Sequence, residues 1–292
     1  SFTIISCILP VIRCGAIPVL VDSDPITWNM DINKIEEKIT KKTKVIIAPH
    51  IYGLPIDMDP LIKIAKKYKL KIIEDSAEMI GQKYKKKNCG SFGDVSTFSF
   101  YANKHITTGE GGMIATNDIK IAKMCRSLRN ICFNKERRFL HYKLGWNYRF
   151  TNIQAAIGLA QLEKLNKFVL KKRTIGKIYE NGLSNIDIFS TPCKKTNYAD
   201  NIYWVYGLVL NKKSKFSVKT IMKKLSDHGI ETRNFFFPLH QQPVLKKMGF
   251  FKKCKLPVSE NLAKNGFYIP TGLSITQAQQ KYVINKIRKI LR

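Results

Sequence analysis

Short apolar runs alternate with stretches of helical period through the first half of the chain. The runs fall at 17–22 (IPVLVD), 44–49 (KVIIAP), 71–75 (KIIED), 95–100 (VSTFSF) and 111–117 (GGMIATN), and helical patterns lie near 31–39 and over 59–68. Strands of this length separated by helices predict β-α-β units and an α/β fold with a mostly parallel sheet. Ligands collect at the carboxyl ends of the strands in such sheets. Three polar signals sit there: His50 after VIIAP, Asp75 closing KIIED, and Lys104 after VSTFSF. A long pattern over 151–183, with Ile153, Ile157, Ala160, Leu165, Phe168, Ile175 and Tyr179 near a 3.6 period, predicts one helix between two domains. The expected division is a large α/β domain over 1–165, then a connecting helix and a smaller α+β domain over 166–292. In that second part, 201–210 (NIYWVYGLVL) reads as a strand, 217–230 as a helix and IETRNFFFP as an extended segment. The last helix begins at SITQ, where Ser274 and Gln277 match a capping box.

Composition supports a globular chain: 292 residues at 44% hydrophobic can bury a large core. The apolar opening is broken by Pro10, Arg13 and Pro18 and lacks a basic leader, so neither a signal peptide nor a spanning helix fits. The seven cysteines include no C-x-x-C pair, and no glycosylation sequon occurs. Reduced thiols in a cytoplasmic setting are expected, without a metal site. The formal charge of +30 raises the question of nucleic acid, since clustered cations bind phosphate backbones by releasing counterions. The lysines nevertheless come in short runs scattered along the whole chain, with no aromatic-interleaved basic block. The charge therefore reads as solvated surface.

Lys104 precedes ITTGEGG, where Gly109, Gly111 and Gly112 would let the backbone turn tightly and approach a ligand. A Walker loop is excluded, because that motif places its lysine after the glycines. A lysine desolvated at the mouth of a sheet has a lowered amine pKa and can form a Schiff base with a carbonyl compound. Taken alone, the residue reads first as an ordinary surface lysine. Asp75 is open to two readings, a helix cap shared with Ser76 or a buried carboxylate that keeps a heteroaromatic nitrogen protonated. The second is what pyridoxal phosphate needs. Ser99, before Lys104, adds a hydroxyl that could donate to the cofactor phosphate.

The stretch IIEDSAEMIGQKYKKKNCGSFGDVSTFSFYANKHITTGEGGMIATND (72–118) resembles the DegT/DnrJ/EryC1/StrS family of nucleotide-sugar aminotransferases, and within it the perosamine-synthase type. HIYGLPIDMDPL (50–61), LGWNYRFTNIQAAIGLAQL (144–162) and GIETRNFFFPLHQQP (229–243) extend the resemblance over nearly the whole chain. It implies the fold of type I pyridoxal-phosphate aminotransferases, with Lys104 as Schiff-base lysine and proton carrier, Asp75 as partner of the pyridine nitrogen and Ser99 as phosphate ligand. Glu78 falls where the family sets a side chain against the ring, and Asn147 where a residue reaches the cofactor phosphate of the neighbouring subunit, which implies a homodimer with shared sites. His50, Tyr52, Glu110, Arg233 and His240 fall near the sugar nucleotide. The implied reaction moves an amino group from L-glutamate to the C4 ketone of a nucleotide-linked 4-keto-6-deoxy sugar. Family members carry a further segment before SFT, with a first helix and a turn that helps bind the phosphate, so the chain is expected to be a fragment of a longer protein. The alternatives are a C3-aminating enzyme, a 3-dehydratase, disfavoured because Lys104 is present, and a catalytically dead basic nucleic-acid-binding protein on the same scaffold.

Overall fold

The computed structural model describes residues 1–291. Its first half carries α1 (Leu9–Arg13), β1 (Val45–Pro49), α2 (Met58–Lys67), β2 (Lys71–Asp75), a small hairpin of β3 (Lys83–Tyr84) and β4 (Lys87–Asn88), β5 (Val95–Ser99), β6 (Gly112–Ala115) and α3 (Ile119–Leu128). The main sheet runs β1-β2-β5-β6, with the first three strands parallel and β6 antiparallel at the edge. Pairing of Pro49 with Asp75 and of Asp75 with Thr97 aligns the carboxyl ends of the three parallel strands. The α/β expectation holds, and with it the edge on which polar residues gather. Helix α2 buries Met58, Leu61 and Ala65, one face at helical spacing, against Ile46, Ala48 and Ile72 of the sheet. Full burial of a side chain such as Met58 or Leu61 is worth about 1.5–3 kcal/mol, and of the Ala65 methyl less.

Two expected elements are absent. Residues 17–22 form no strand: the Asp22 carbonyl accepts the Asp31 amide at 2.9 Å beside an isolated Ser23–Met30 bridge, and its carboxylate caps α8 (Pro257–Asn265), accepting the Val258 and Ser259 amides at 3.1 and 2.9 Å and the Ser259 hydroxyl at 2.7 Å. Residues 31–39 form two short 3-10 turns, Ile32–Lys34 and Glu36–Lys38, in place of a helix. Ile35 is the one fully buried side chain there, and a single turn suffices to bury it.

The pattern over 151–183 yields two helices, α4 (Asn152–Leu162) and α5 (Leu165–Leu183). Thr151 and Gln154 cap α4 reciprocally, yet none of its side chains is buried, whereas α5 buries Val169, Ile175, Tyr179 and Leu183. The second sheet, order β7-β8-β10-β9, is antiparallel: β7 (Phe189–Ser190), β8 (Tyr206–Leu210), β9 (Arg233–Asn234) and β10 (Gly266–Ile269). With α5, α6 (Val218–Ser226) and α9 (Gln277–Leu291) it encloses a core that includes Tyr179, Leu208, Ile221, Phe267 and Ile287. Between β9 and α8 lies the short α7 (Pro243–Lys247). Strand β8 begins later than expected, because the segment from Asn201 turns at Tyr203 (φ 50°) to lie against Gly53. A Cβ at Gly53 would stand 2.7 Å from the Tyr203 and Trp204 amides. Phe2, Trp28, Tyr52, Trp204 and Phe235 form a further cluster that joins the two sheets.

Candidate active site

Lys104 is placed by a loop that folds back on the end of β5. The Thr107 hydroxyl and the Thr108 amide both donate to the Phe100 carbonyl, at 2.9 and 3.0 Å, and the Lys104 amide donates to Tyr101 O at 3.0 Å. This lifts the Lys104 side chain over the aligned strand ends. Its Nζ lies 4.0 Å from the ring centroid of Trp204, whose Nε1–H donates to Asn103 O at 2.9 Å. Burial pushes the Lys104 amine below its ordinary pKa, opposed by Glu78 where that group is ionised and by Asp75. The amine is thus easier to deprotonate than an exposed lysine.

Asp75 closes β2. Its Oδ1 accepts the Ala77 amide at 3.1 Å and its Oδ2 accepts the Cys7 thiol at 2.9 Å. Burial pushes the Cys7 thiol pKa up, and the Asp75 charge adds to that, so the sulfur stays protonated and donates. Glu78 is buried with its Oε2 accepting the Tyr52 amide at 2.5 Å. Burial pushes its pKa up to about 8, against the Lys104 charge and that amide. Glu74, one residue before Asp75, has the opposite fate. Its burial penalty is outweighed by His50 and by the Gly90, Phe92 and Gly93 amides, so it stays ionised and ties the loop that leads into β5.

The structure gathers Lys104, Asp75 and Glu78 at one sheet edge, and Ser99 ends β5 beside them, its Oγ accepting the Tyr101 amide at 3.3 Å. Other expected site residues are used elsewhere. His50 is enclosed, Nε2 against Glu74 at 3.2 Å and Nδ1 accepting the Ile56 amide at 3.1 Å, so no ring nitrogen is left for a sugar nucleotide. Tyr52 is buried in the aromatic cluster, where its hydroxyl accepts the Phe236 amide at 3.3 Å; its contribution to the site is the amide that holds Glu78. His240 is also buried, between Glu260 at 2.9 Å and the Ser1 hydroxyl at 2.9 Å. Arg233 is exposed on β9 with Glu231 3.4 Å away, and Glu110 is exposed, its carbonyl accepting Thr108 and Gln154. Asn147 is exposed, bridged to Asn130 and accepting Arg149 Nε at 2.9 Å, and among the described residues it makes no hydrogen bond to Lys104, Asp75 or Glu78. The glycines after Lys104 serve packing as well as turning: Gly111 (φ 145°) lies against the Phe150 ring, where a Cβ would clash.

Trp204 and Cys7 were missed. Both meet the site across long stretches of chain, 101 residues between Asn103 and Trp204 and 68 between Cys7 and Asp75, so no local spacing signals them.

The donor set suits pyridoxal phosphate: an amine for its aldehyde, a carboxylate for its ring nitrogen and a hydroxyl for its phosphate. Among the described residues Lys104 makes no ion pair within 4 Å and Asp75 has no cationic partner at that range, so both groups are available to a ligand. The Ser76 hydroxyl beside Asp75 is buried without a hydrogen-bond partner among the described residues. Among the described residues no cluster suited to a metal ion occurs.

Residues 1–288 match the DegT/DnrJ/EryC1/StrS aminotransferase family. The chain belongs to that family. It is 39% identical over 289 residues to a GDP-perosamine synthase of Escherichia coli O157:H7, covering 99% of this chain and 77% of the relative. It is also 39% identical to a GDP-perosamine synthase of Caulobacter vibrioides, covering 100% of this chain and 78% of the relative. Among solved structures, a putative sugar aminotransferase of Streptococcus pneumoniae in its PMP form superposes with a TM-score of 0.91 at 25% identity, over 99% of this chain and 78% of that one. The family membership of this aminotransferase accords with the fold and with the cluster of Lys104, Asp75 and Ser99. Among the described residues no helix is long and apolar enough to cross a membrane.

Proposed function

We propose that the protein uses pyridoxal phosphate to transfer an amino group from L-glutamate to the C4 ketone of a GDP-linked 4-keto-6-deoxy sugar, giving a 4-amino-4,6-dideoxy sugar nucleotide. The observation that carries the reading is the meeting of Lys104, its amine lowered by burial, with Asp75 and Glu78 at the carboxyl edge of the sheet, in a chain 39% identical to GDP-perosamine synthases. When bound, the cofactor supplies an electron sink for breaking the donor Cα–H bond and carries the nitrogen from donor to acceptor. Lys104 would hold its aldehyde carbon, Asp75 its ring nitrogen and Ser99 its phosphate.

The rest falls to the side chains. Lys104 Nζ, with its pKa lowered by burial, takes and returns a proton at neutral pH more readily than a free lysine. The Asp75 carboxylate, oriented by the Ala77 amide and the Cys7 thiol, keeps a proton on the group it faces. Glu78, carrying its own proton up to about pH 8, presents a neutral surface where an ionised carboxylate would repel the anionic substrates.

The working form in this reading is a homodimer in the cytoplasm. Support comes from α4, which exposes Ile153 (76%) and Leu159 (60%), and from the loop before it, where Leu144 (90%) and Tyr148 (71%) are bare. Exposed apolar residues grouped in one stretch of chain support an interface there. Asn147 is exposed in the same stretch of chain and in this reading would reach the partner's site. The seven cysteines are all free thiols, in keeping with a reducing compartment.

The test is a product assay with L-glutamate and GDP-, dTDP- and UDP-linked 4-keto-6-deoxy sugars, followed by mass spectrometry. The GDP sugar should give the amino product. Lys104→Ala should abolish both the product and the visible absorbance of the protein loaded with pyridoxal phosphate; absorbance that survives the substitution overturns the assignment of Lys104.

A further inference from the structure

The side chain of Lys104 is half-buried, and its Nζ has no hydrogen bond or ion pair among the described residues. The one directional contact of that nitrogen is the indole face of Trp204, 4.0 Å from Nζ to the ring centroid. A cation over an indole is attracted by the ring quadrupole, and the attraction strengthens as water is excluded. Trp204 is itself buried and pinned at several points. Its Nε1–H donates to the carbonyl of Asn103, the residue before Lys104, at 2.9 Å. Its own carbonyl accepts the buried Lys172 ammonium at 2.8 Å, which also donates to Thr271 O at 2.8 Å, and the Thr271 hydroxyl approaches it at 3.5 Å. On its other flank the Tyr52 ring lies 5.9 Å away. The same indole therefore grips the main chain of the Lys104 loop through its N–H and the end of the side chain through its face.

We propose that Trp204 is a positioning residue for Lys104: its indole face parks the unbound ammonium at a fixed place over the sheet edge and favours its charged form. The inference rests on the reading of Lys104 as the reacting amine. Glu78, Asp75, Cys7 and His105 also face the amine, and the two carboxylates act on it in the same direction as the indole, but among the described residues neither carboxylate pairs with Nζ within 4 Å. Trp204 enters from the segment that precedes β8, so the approach of the second sheet to the first determines where the lysine stands.

The experiment measures the Lys104 pKa in the cofactor-free protein from the pH dependence of acylation by acetic anhydride, with the Lys104 peptide followed by mass spectrometry. This readout needs no turnover. Trp204→Leu should lower the midpoint by about 0.4 to 1.5 pH units, the range that a cation–π contact supplies. Trp204→Phe keeps a ring but loses the N–H, and should lower it by less. Phe235→Leu loosens the same aromatic cluster without removing the ring beneath Nζ, and should leave the midpoint where it is. A midpoint that is unchanged or raised in both Trp204 variants, or a drop in Phe235→Leu as large as in Trp204→Leu, overturns the inference. Failure of the underlying reading shows separately: wild-type Lys104 would then not be the residue that borohydride fixes to pyridoxal phosphate.

Discussion

Glu78 is the residue whose protonation can be tested without any substrate. Its folded pKa, raised by burial to about 8, stands above the ordinary 4.5 of an unfolded glutamate. Between those two values the unfolded chain has released a proton that the folded chain keeps, so stability falls as pH rises from 4.5 to 8. Glu78→Gln keeps an oxygen for the Tyr52 amide and removes the titration. Its melting temperature should gain on the wild type as pH rises from 5 to 8; removing the Glu78 charge also lowers the Lys104 amine further, a change of the same sign. Thermal unfolding of both proteins at the two pH values is the measurement, and a constant difference between them would show that Glu78 is ionised throughout. Asp75, Ser99 and Lys104 were legible as site candidates because each ends or follows a strand. His50 satisfies the same criterion, yet both of its ring nitrogens are engaged within the fold. The alternation in KIIED puts Glu74 on the inward face with Ile72, where it meets the His50 ring; the pattern held that information, but a glutamate on a core face is not expected until its amide partners are known.

At the scale of the element, the start of α9 shows how a correct motif can be read two residues early. Both Ser274 with Gln277 and Thr276 with Gln279 satisfy the capping pattern. The structure uses the second pair: the Gln279 amide donates to Thr276 Oγ1 at 3.2 Å and the Thr276 amide donates to Gln279 Oε1 at 2.9 Å. Packing decides the register, because Ile275 is drawn against the core beneath the second sheet and so stands outside the helix, just before the cap. Thr276→Ala should therefore destabilise the protein by about 1 kcal/mol, while Ser274→Ala should be close to neutral. Chemical denaturation of the two variants checks this, and equal losses would contradict the assigned cap. The same competition between local period and tertiary surroundings explains the division of the pattern over 151–183, since periodicity continues across Glu163 and Lys164 whereas burial begins only in α5.

At the scale of the molecule, α4 poses a question that local chemistry cannot answer. It is well capped and predominantly apolar, yet it buries nothing within its own chain. A helix of that composition left in water costs hydrophobic free energy unless a second surface covers it. The exposed loop that holds Leu144, Trp146 and Tyr148 leads directly into it, so the bare residues fall in one stretch of chain that also carries Asn147. If that stretch is where two copies meet, a charge placed in it should separate them and leave each fold intact. Ile153→Asp suits the purpose. Position 153 lies in the first turn of α4, where a carboxylate is favourable to the helix dipole, and its side chain is 76% exposed in the single chain. The dimer dissociation constant should rise at least about tenfold, while the melting behaviour of the monomer at high dilution stays within about 0.5 kcal/mol of the wild type. Sedimentation velocity across a concentration series reads both states. A variant that dimerises as tightly as the wild type would place the interface elsewhere and would leave Asn147 without a route to a partner's site.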